Sequence, residues 1–287
     1  MIKILITGAN GQLGSEIRKI SGHFPDFEFT FTDVAELNIT NQQEVASFLD
    51  HVAPLYLINC AAYTAVDKAE SDLENATIIN AQAVGILAQE TARLNCRMVH
   101  ISTDYVFNGL GPVPYTENDL PEPGSVYGQT KLEGEILCQR YNPNSLIIRT
   151  SWLYSAFGNN FVKTMLRLGS EKSEINVVAD QIGSPTNAAD LAMAVLTIVF
   201  SVEKSGKAYV PGIYHYSNEG VASWYDFAKA IFEIEKVSCR VNPIASDDYP
   251  SPVKRPAYSV MNKSKIKTIF GLEIPHWRDS LASYFQK

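Results

Sequence analysis

The chain has 287 residues, 46% of them hydrophobic, which is enough to bury a large core and allows one large domain or two modest ones. Its formal net charge is −7 at pH 7, and the acidic residues are scattered along a chain without a basic block or a basic stripe carrying aromatic residues. This composition argues against nucleic acid as a partner.

The first apolar run begins at Met1 and reaches a glycine at Gly8, which is too short for the hydrophobic region of a signal peptide. No later apolar run approaches the length of a membrane-spanning helix. We therefore expect a cytoplasmic protein without a membrane partner.

The four cysteines and five histidines are widely spaced, without a C-x-x-C pair or an H-E-x-x-H helix. This spacing disfavours a zinc site and a thioredoxin-like redox motif. We expect the cysteines to be reduced, buried thiols, and the residues themselves predict no metal site.

Short β-branched runs alternate with helical stretches through the first half of the chain. The predicted strands are 3–6, 28–32, 55–60, 97–102 and 145–150, and the predicted helices are 12–20, 42–51, 76–94 and 126–140. This alternation is typical of a parallel sheet covered on both faces. The sequence therefore predicts an α/β fold with a Rossmann-like, doubly wound parallel sheet.

From Trp152 onward the pattern changes to loops rich in Gly, Asn and Pro, with helices predicted at 188–200, at 224–234 and near the carboxyl terminus. The helix at 188–200 and the strand after it can return to the edge of the sheet. We therefore assign residues 1–150 and roughly 187–213 to the Rossmann-like domain. Residues 151–186 and 214–287 are assigned to a smaller, interwoven α/β lobe.

A glycine-rich motif, Thr7-Gly8-Ala9-Asn10-Gly11-Gln12-Leu13-Gly14, lies between the first predicted strand and the first predicted helix. Its glycines let the backbone turn sharply and approach a pyrophosphate, which the free amides of the helix start can bind. The spacing is G-x-x-G-x-x-G, and a turn without a ligand is the structural alternative. The position between strand and helix nevertheless favours a dinucleotide site.

Asp33 ends the second predicted strand, about twenty residues beyond the glycines. Its carboxylate can accept hydrogen bonds from the hydroxyls of the adenosine ribose, and it would repel a 2′-phosphate. This residue favours NADH over NADPH, although an acidic turn residue without a ligand is an alternative. Small residues at the end of the third strand, Cys60 to Ala62, would let the cofactor lie across the sheet edge.

Tyr127 and Lys131 lie four residues apart on a predicted helix, so they project from one face. A phenol with a pKa of about 10 is a poor proton donor and acceptor near neutrality. A unit positive charge at about 4 Å contributes roughly 4 kcal/mol at an effective dielectric of about 20, which is about three pKa units. We therefore predict that Lys131, together with an oxidised nicotinamide, lowers the pKa of Tyr127 for acid/base catalysis.

The segment from Ser102 to Phe107 leaves the carboxyl end of the fourth predicted strand. Ligands of open α/β sheets bind outside such strand ends, so a hydroxyl there can donate to a carbonyl oxygen beside Tyr127. On chemistry alone, either Ser102 or Thr103 can serve, and a capping or turn hydroxyl is the structural alternative.

With these three motifs in order, the chain resembles the extended short-chain dehydrogenases/reductases. Within that superfamily it is similar, over essentially its whole length, to the dTDP-4-dehydrorhamnose reductase family. The segments that carry this similarity are Ala62 to Glu70, Ser102 to Phe107, Arg149 to Tyr154, Gly158 to Phe161, Asp180 to Thr186 and Lys254 to Pro256.

The resemblance implies an oxidoreductase that uses NAD(P)H to reduce the C4 ketone of dTDP-6-deoxy-L-lyxo-4-hexulose to dTDP-L-rhamnose for polysaccharide biosynthesis. It implies that Tyr127 protonates the developing alkoxide, Lys131 orients the ribose, and Thr103 rather than Ser102 holds the substrate oxygen. The predicted cofactor-binding residues are Gly8, Asn10, Gly11, Gln12, Leu13, Gly14, Asp33, Asn38, Ile39, Cys60, Ala61, Ala62, Tyr63, Thr64, Ser102, Tyr127 and Lys131.

The resemblance also implies a lobe that binds the sugar nucleotide, in which Trp152 stacks on or covers the sugar and Arg255 pairs with the diphosphate. Packing or surface roles for these side chains are the alternatives. The implied substrate-binding residues are Val66, Asp67, Thr103, Asp104, Tyr105, Trp152, Asn160 and Arg255.

Members of this family use NADPH or either cofactor, so NADPH and NADH are both retained despite the charge of Asp33. Some relatives carry Mg²⁺ at a dimer interface. The resemblance therefore leaves Mg²⁺ and a homodimer open, although no compact carboxylate cluster in this sequence predicts the metal.

The sequence leaves two alternative functions. A nucleotide-sugar epimerase or dehydratase is the nearest enzymatic alternative, but a dehydratase usually carries two acidic residues after its threonine, and this chain has Thr103-Asp104-Tyr105. A non-catalytic binding protein similar to the regulatory subunit of methionine adenosyltransferase is the other. The complete set of Thr103, Tyr127 and Lys131 favours the reductase.

Overall fold

The structure is a computed structural model that describes residues 1–286. The strands are β1 (Ile2–Thr7), β2 (Phe27–Thr32), β3 (Tyr56–Asn59), β4 (Arg97–Thr103), β5 (Leu146–Thr150), β6 (Leu153–Tyr154), β7 (Glu174–Val178), β8 (Ile182–Gly183), β9 (Thr186–Asn187), β10 (Gly212–His215), β11 (Ala222–Ser223) and β12 (Arg240–Ile244). The α-helices are α1 (Gln12–Ile20), α2 (Gln42–Val52), α3 (Val66–Ala69), α4 (Leu73–Thr77), α5 (Ala83–Arg93), α6 (Val126–Tyr141), α7 (Phe161–Glu171), α8 (Ala188–Lys204), α9 (Trp224–Glu235), α10 (Ser264–Phe270) and α11 (Trp277–Phe285).

Six strands form the main sheet, in the order β10-β5-β4-β3-β1-β2. Every neighbouring pair in it is parallel. The chain starts at β1, moves to the edge strand β2 and then returns to β3 on the other side of β1. The strand order therefore reverses beside β1, which is where open α/β sheets bind ligands at the carboxyl ends of their strands.

Apolar side chains cover both faces of this sheet, as the near-continuous hydrophobic strands require. One core cluster joins the sheet to α1 and α8, and a second joins it to α2, α5 and α6. The predicted α/β fold with a doubly wound parallel sheet is confirmed.

A third cluster forms the core of the smaller lobe, between α7, α9, α11 and the paired strands β7 and β12. After α8 the chain returns to the main sheet, where β10 pairs with β5. The division of the chain into two interwoven units at the residues given above stays a prediction.

The helix predicted at 76–94 differs from the structure in both its start and its regularity. It begins three residues earlier, and a wider π-helical turn at Ile78–Gln82 joins α4 to α5. At this turn α6 comes so close that a Cβ on Gly134 would lie 2.1 Å from the carbonyl oxygen of Asn80. Apolar periodicity carries no signal for such a turn, which arises from packing between helices.

No helix in the described part of the chain is both long enough and apolar enough to cross a membrane.

Candidate active site

The glycine motif forms a tight turn between β1 and α1. Gly8 has a φ of +66°, and a Cβ there would lie 2.5 Å from the amide nitrogen of Ala61. A Cβ on Gly14 would lie 2.5 Å from the carbonyl oxygen of Gly8. No side chain in residues 1–286 caps the start of α1, so its first amides remain for an anion. This closely packed turn fits the diphosphate of a dinucleotide.

Asp33 lies against the glycine motif, as its position at the end of β2 predicts. Its carboxylate accepts hydrogen bonds from the backbone amides of Asn10 and Val34, both at 2.9 Å. The predicted residues Asn38 and Ile39 follow in the next loop, where Asn38 is exposed and Ile39 is half-buried. The carboxylate is therefore fixed beside the turn that would hold the diphosphate.

The segment from Cys60 to Thr64 leaves the carboxyl end of β3 next to this turn. Burial raises the pKa of the Cys60 thiol to about 12, so the thiol stays protonated near neutrality. Asn80, from the π-helical turn, fixes the backbone of Tyr63 by accepting from its amide at 2.9 Å and donating to its carbonyl at 3.1 Å. Sequence reasoning missed Asn80, because no sequence pattern predicted the π-helical turn that places its side chain beside Tyr63.

Thr103 and Tyr127 are brought together at the carboxyl end of β4. Burial raises the pKa of the Tyr127 phenol to about 12, even though a hydrogen bond with Thr103 acts to lower it. Thr103 also donates to a carboxylate oxygen of Asp104 at 3.0 Å. Tyr105 packs edge to face against Tyr127, with ring centroids 5.4 Å apart. Near neutrality Tyr127 is therefore a protonated phenol held beside a hydroxyl.

The hydroxyl of the neighbouring Ser102 is hydrogen-bonded away from Tyr127, to a residue of α6. It donates to Glu135 at 2.5 Å, and Glu135 forms a buried ion pair with Arg149 at 2.6 Å. The pair ties α6 to β5 and lies behind the sheet edge, so Ser102 is unsuited to hold a substrate oxygen with its side chain. Glu135 and Arg149 were missed because single charged residues in a helix and a strand show no pairing in sequence.

Lys131 is hydrogen-bonded to β4 and forms no hydrogen bond with Tyr127. Its ammonium nitrogen donates to the carbonyl oxygen of Ile101 at 2.7 Å and lies 3.5 Å from Nε2 of His100. Burial lowers the pKa of Lys131 to about 8. Burial is the largest influence on the Tyr127 pKa in this structure, and the lowering expected from Lys131 acting together with an oxidised nicotinamide stays a prediction.

A cavity of about 1340 Å³ opens between the sheet edge and the smaller lobe. Thr103, Tyr127 and Lys131 do not line it, but Tyr105 connects it to Tyr127. Six of the predicted cofactor and substrate residues line it: Thr64, Val66, Tyr105, Trp152, Asn160 and Arg255. Sequence reasoning missed several further lining residues, which come from α7, α9 and loops of the lobe: Phe161, Met165, Leu168, Gln181, Trp224 and Val253.

Trp152 forms one wall of the cavity in a left-handed backbone conformation, with φ of 49°. Its ring stacks on Trp224, with centroids 3.6 Å apart and planes 7° apart. Gly183 packs so closely that a Cβ there would lie 2.5 Å from the Trp152 ring. These contacts hold a conformation that costs roughly 1–3 kcal/mol. Sequence reasoning named Trp152, and its partner Trp224 carried no distinguishing signal.

Two contacts join the lobe to the sheet edge. Arg255 donates to both carboxylate oxygens of Asp67, at 2.9 and 3.1 Å. Asn160 donates to the side-chain oxygen of Gln12 at 3.1 Å, which links the lobe to the glycine motif. Two predicted substrate residues, Asp67 and Arg255, are therefore paired with each other across the cavity edge.

Within residues 1–286, no three His, Cys, Asp or Glu side chains are grouped as ligands for a metal ion. We assign no step to a metal.

The fold and the site define the class of the protein. A parallel sheet whose order reverses beside a glycine turn, with a threonine, a tyrosine and a lysine at the adjacent strand end, is the arrangement of an extended short-chain dehydrogenase/reductase. Comparison with known proteins identifies the family within this class.

The family model described as "RmlD substrate binding domain" matches residues 2–287. A dTDP-4-dehydrorhamnose reductase of Sinorhizobium fredii is 43% identical over 283 residues, covering 97% of this chain and 95% of the relative. The chain therefore belongs to the RmlD substrate binding domain family, and the predicted resemblance is confirmed.

Two solved structures are similar over nearly their full lengths. A dTDP-4-dehydrorhamnose reductase of Clostridium acetobutylicum is 44% identical with a TM-score of 0.93, and 99% of each chain is covered. A dTDP-4-dehydrorhamnose reductase of Bacillus anthracis, described as a complex with NADP, is 38% identical with a TM-score of 0.94, covering 100% of this chain and 99% of that one.

Proposed function

We propose that the protein is a dTDP-4-dehydrorhamnose reductase, which converts dTDP-6-deoxy-L-lyxo-4-hexulose and NAD(P)H to dTDP-L-rhamnose and NAD(P)⁺. The observation that carries this proposal is that Thr103 and Tyr127 meet at the end of β4, where Tyr105 joins Tyr127 to the cavity. Full-length relatives at 43–44% identity that carry this name support it.

Tyr127 is the proposed general acid. Because burial raises its pKa to about 12, the phenol carries its proton throughout the neutral range. When a carbonyl oxygen becomes an alkoxide, it becomes more basic than a phenol, and proton transfer from Tyr127 is then favourable. Thr103 orients the same oxygen by hydrogen bonding. Lys131 lies at the same strand end and is more deeply buried than Tyr127.

The glycine turn and Asp33 are the proposed binding site for the dinucleotide, which supplies a hydride to C4 of the sugar when bound. The tight packing around Gly8 and Gly14 supports this assignment, as does the free start of α1. The charge of Asp33 favours NADH, whereas the Bacillus anthracis relative is described with NADP. We propose that the protein accepts both cofactors and prefers NADH.

The cavity is the proposed site for the sugar nucleotide. Trp152 and Trp224 provide a rigid apolar wall on which the sugar can rest, and Asn160 provides an amide. Arg255 is the cation best placed for the diphosphate, because a guanidinium binds phosphate oxygens in the way it binds the Asp67 carboxylate. Substrate binding therefore exchanges an internal carboxylate for a phosphate.

The test is an assay of purified protein with the 4-keto sugar nucleotide and each reduced cofactor. We expect one NAD(P)H to be oxidised for each dTDP-L-rhamnose formed. Conversion of the sugar without net cofactor oxidation would instead indicate an epimerase. Binding without any turnover would indicate a non-catalytic nucleotide-binding protein.

A further inference from the structure

A chain of buried polar side chains runs from the glycine turn to Lys131. Thr7 donates to the side-chain oxygen of Asn59 at 2.7 Å, and the Asn59 amide nitrogen lies 3.1 Å from Nδ1 of His100. Nε2 of His100 in turn lies 3.5 Å from the Lys131 nitrogen. Asn59 and His100 are completely buried, and Lys131 is 2% exposed. The chain therefore ends on the lysine of the active site without access to water.

The contacts of Asn59 fix which ring nitrogen of His100 carries the proton. The backbone amide of Ala61 lies 3.1 Å from one side-chain atom of Asn59, and because an amide N–H can only donate, that atom is the oxygen. The NH₂ group of Asn59 must then face His100, and Nδ1 must accept from it. A neutral His100 consequently carries its proton on Nε2, and a doubly protonated ring would clash with Asn59.

The Nε2–H group of His100 faces the nitrogen of Lys131. An ammonium group offers only N–H donors to it, whereas a neutral amine offers a lone pair. We propose that His100 is a positioning residue for Lys131, which, held in one tautomer by Asn59, presents an N–H to the lysine nitrogen and favours the amine over the ammonium.

The electrostatics of the surrounding groups agree with this geometry. Burial and the nearby Lys131 hold the pKa of His100 well below its usual value, so the ring stays neutral. Burial lowers the pKa of Lys131 to about 8, while Glu135 and Cys138 on the same helix act in the opposite direction. Glu135 is itself paired with Arg149 of β5, which limits its effect.

The consequence for catalysis rests on the proposed function. When Tyr127 gives its proton to the alkoxide, it becomes a tyrosinate that must be protonated again before the next turnover. Lys131 lies one helical turn from Tyr127 and can supply this proton through an intervening hydroxyl or water molecule, and the neutral amine regains a proton when solvent enters the open site after product release. His100 would make Lys131 a better donor for this step, which adds no new reactant and conserves protons.

The first experiment measures Lys131 directly, in the protein without cofactor or substrate. The protein is labelled with ¹³C at the lysine ε-carbons, and the Lys131 signal is assigned by its loss in Lys131→Met. We expect a titration midpoint near pH 8 in the unmodified chain. His100→Asn keeps an acceptor for Asn59 but removes the N–H that faces Lys131, so its midpoint should rise by about one pH unit, a tenfold change in acidity.

His215→Asn is the matched control. His215 is also completely buried, but it lies on β10 with Nδ1 3.2 Å from the carbonyl oxygen of Tyr115. The Lys131 midpoint should be unchanged in this variant. His100→Met, whose thioether is a weak acceptor without an N–H group, provides a second test for the case in which His100→Asn does not fold. An unchanged midpoint in a folded His100 variant would overturn the proposal.

The second experiment measures the pH dependence of kcat for the reductase reaction. If Lys131 must be an ammonium to give its proton, kcat falls as pH rises through the lysine pKa, and this limb should move to higher pH in His100→Asn. A limb that stays in place would contradict the catalytic part of the inference. If the unmodified protein lacked reductase activity, the proposed function would fail, but the lysine titration would still decide whether His100 acts on Lys131.

Discussion

The sheet edge and the cavity of the smaller lobe place their side chains by different means. At the sheet edge, Thr103 ends a seven-residue strand, and Tyr127 and Lys131 lie on a sixteen-residue helix packed against it. In the lobe, Trp152 and Arg255 come from irregular segments between short elements.

The two regions also differ in burial: the side chains at the sheet edge are more deeply buried than the ion pair at the cavity edge. Thr103 is 5% exposed and Lys131 2%, whereas the side chain of Arg255 in the lobe is 26% exposed and that of its partner Asp67 on α3 is 50% exposed. Buried groups on long elements have one geometry, which proton transfer requires. An exposed ion pair contributes only about 0–1 kcal/mol and opens at little cost. The side chains proposed for proton transfer are therefore held in one geometry, whereas the ion pair proposed to open for the substrate can do so easily.

The largest effect should come from the rigid region. Tyr127→Phe keeps the ring and removes the proton donor, so kcat should fall by about 10²–10⁴-fold, the usual contribution of a general acid. Cofactor affinity, measured by fluorescence titration, should change little. Tyr154→Phe is the control, because the buried Tyr154 hydroxyl has no hydrogen-bond partner within the described residues. Undiminished turnover in Tyr127→Phe would remove the proposed acid.

A smaller effect, of a different kind, is expected in the lobe. Arg255→Ala removes the cation proposed for the diphosphate, and a charged hydrogen bond contributes roughly 1.5–3 kcal/mol, so KM for the sugar nucleotide should rise by about 10- to 100-fold. The kcat and the KM for the cofactor should change little. Arg167→Ala, which breaks an exposed pair with Glu171 on α7, serves as the control. A loss confined to kcat would show that Arg255 acts in the transition state and does not hold the bound substrate, which would contradict this prediction.

The smallest effect concerns the choice of cofactor. Asp33→Asn keeps an oxygen for the amide of Asn10 but removes the charge that opposes a 2′-phosphate. The ratio of kcat/KM for NADPH to that for NADH should rise by about tenfold, or 1.4 kcal/mol. Glu28→Gln removes an exposed charge from the same strand and should leave the ratio unchanged. An equally unchanged ratio in Asp33→Asn would show that Asp33 does not select the cofactor.

The sequence predicted the sheet edge well, because the patterns that define its strands, turn and helix lie within short segments of the chain. Hydrophobic periodicity located the strands to within one or two residues, and the glycine motif located the turn after β1. The four-residue spacing of Tyr127 and Lys131 correctly put both on one helix. It could not show that Lys131 donates to the carbonyl oxygen of Ile101, because that contact depends on how closely the helix packs against β4.

The lobe and the buried network could not be predicted in this way. The stacking of Trp152 on Trp224 joins residues that are far apart in the chain. The contact between His100 and Lys131 crosses from a strand to a helix through the core. Such pairings depend on tertiary packing, for which a single sequence offers no pattern. The resemblance to a family supplied Trp152, Arg255 and Asp67, but neither Trp224 nor the pairing of Arg255 with Asp67.

The central claim is that a hydride reaches C4 of a nucleotide-linked sugar at the edge where Tyr127 supplies the proton. The most direct test incubates the protein with the 4-keto sugar nucleotide and a reduced cofactor deuterated at nicotinamide C4, followed by NMR and mass spectrometry of the sugar product. The account predicts one deuterium at C4 of dTDP-L-rhamnose from one face of the cofactor. A product that carries no deuterium from either face, or carries it at another carbon, would contradict it.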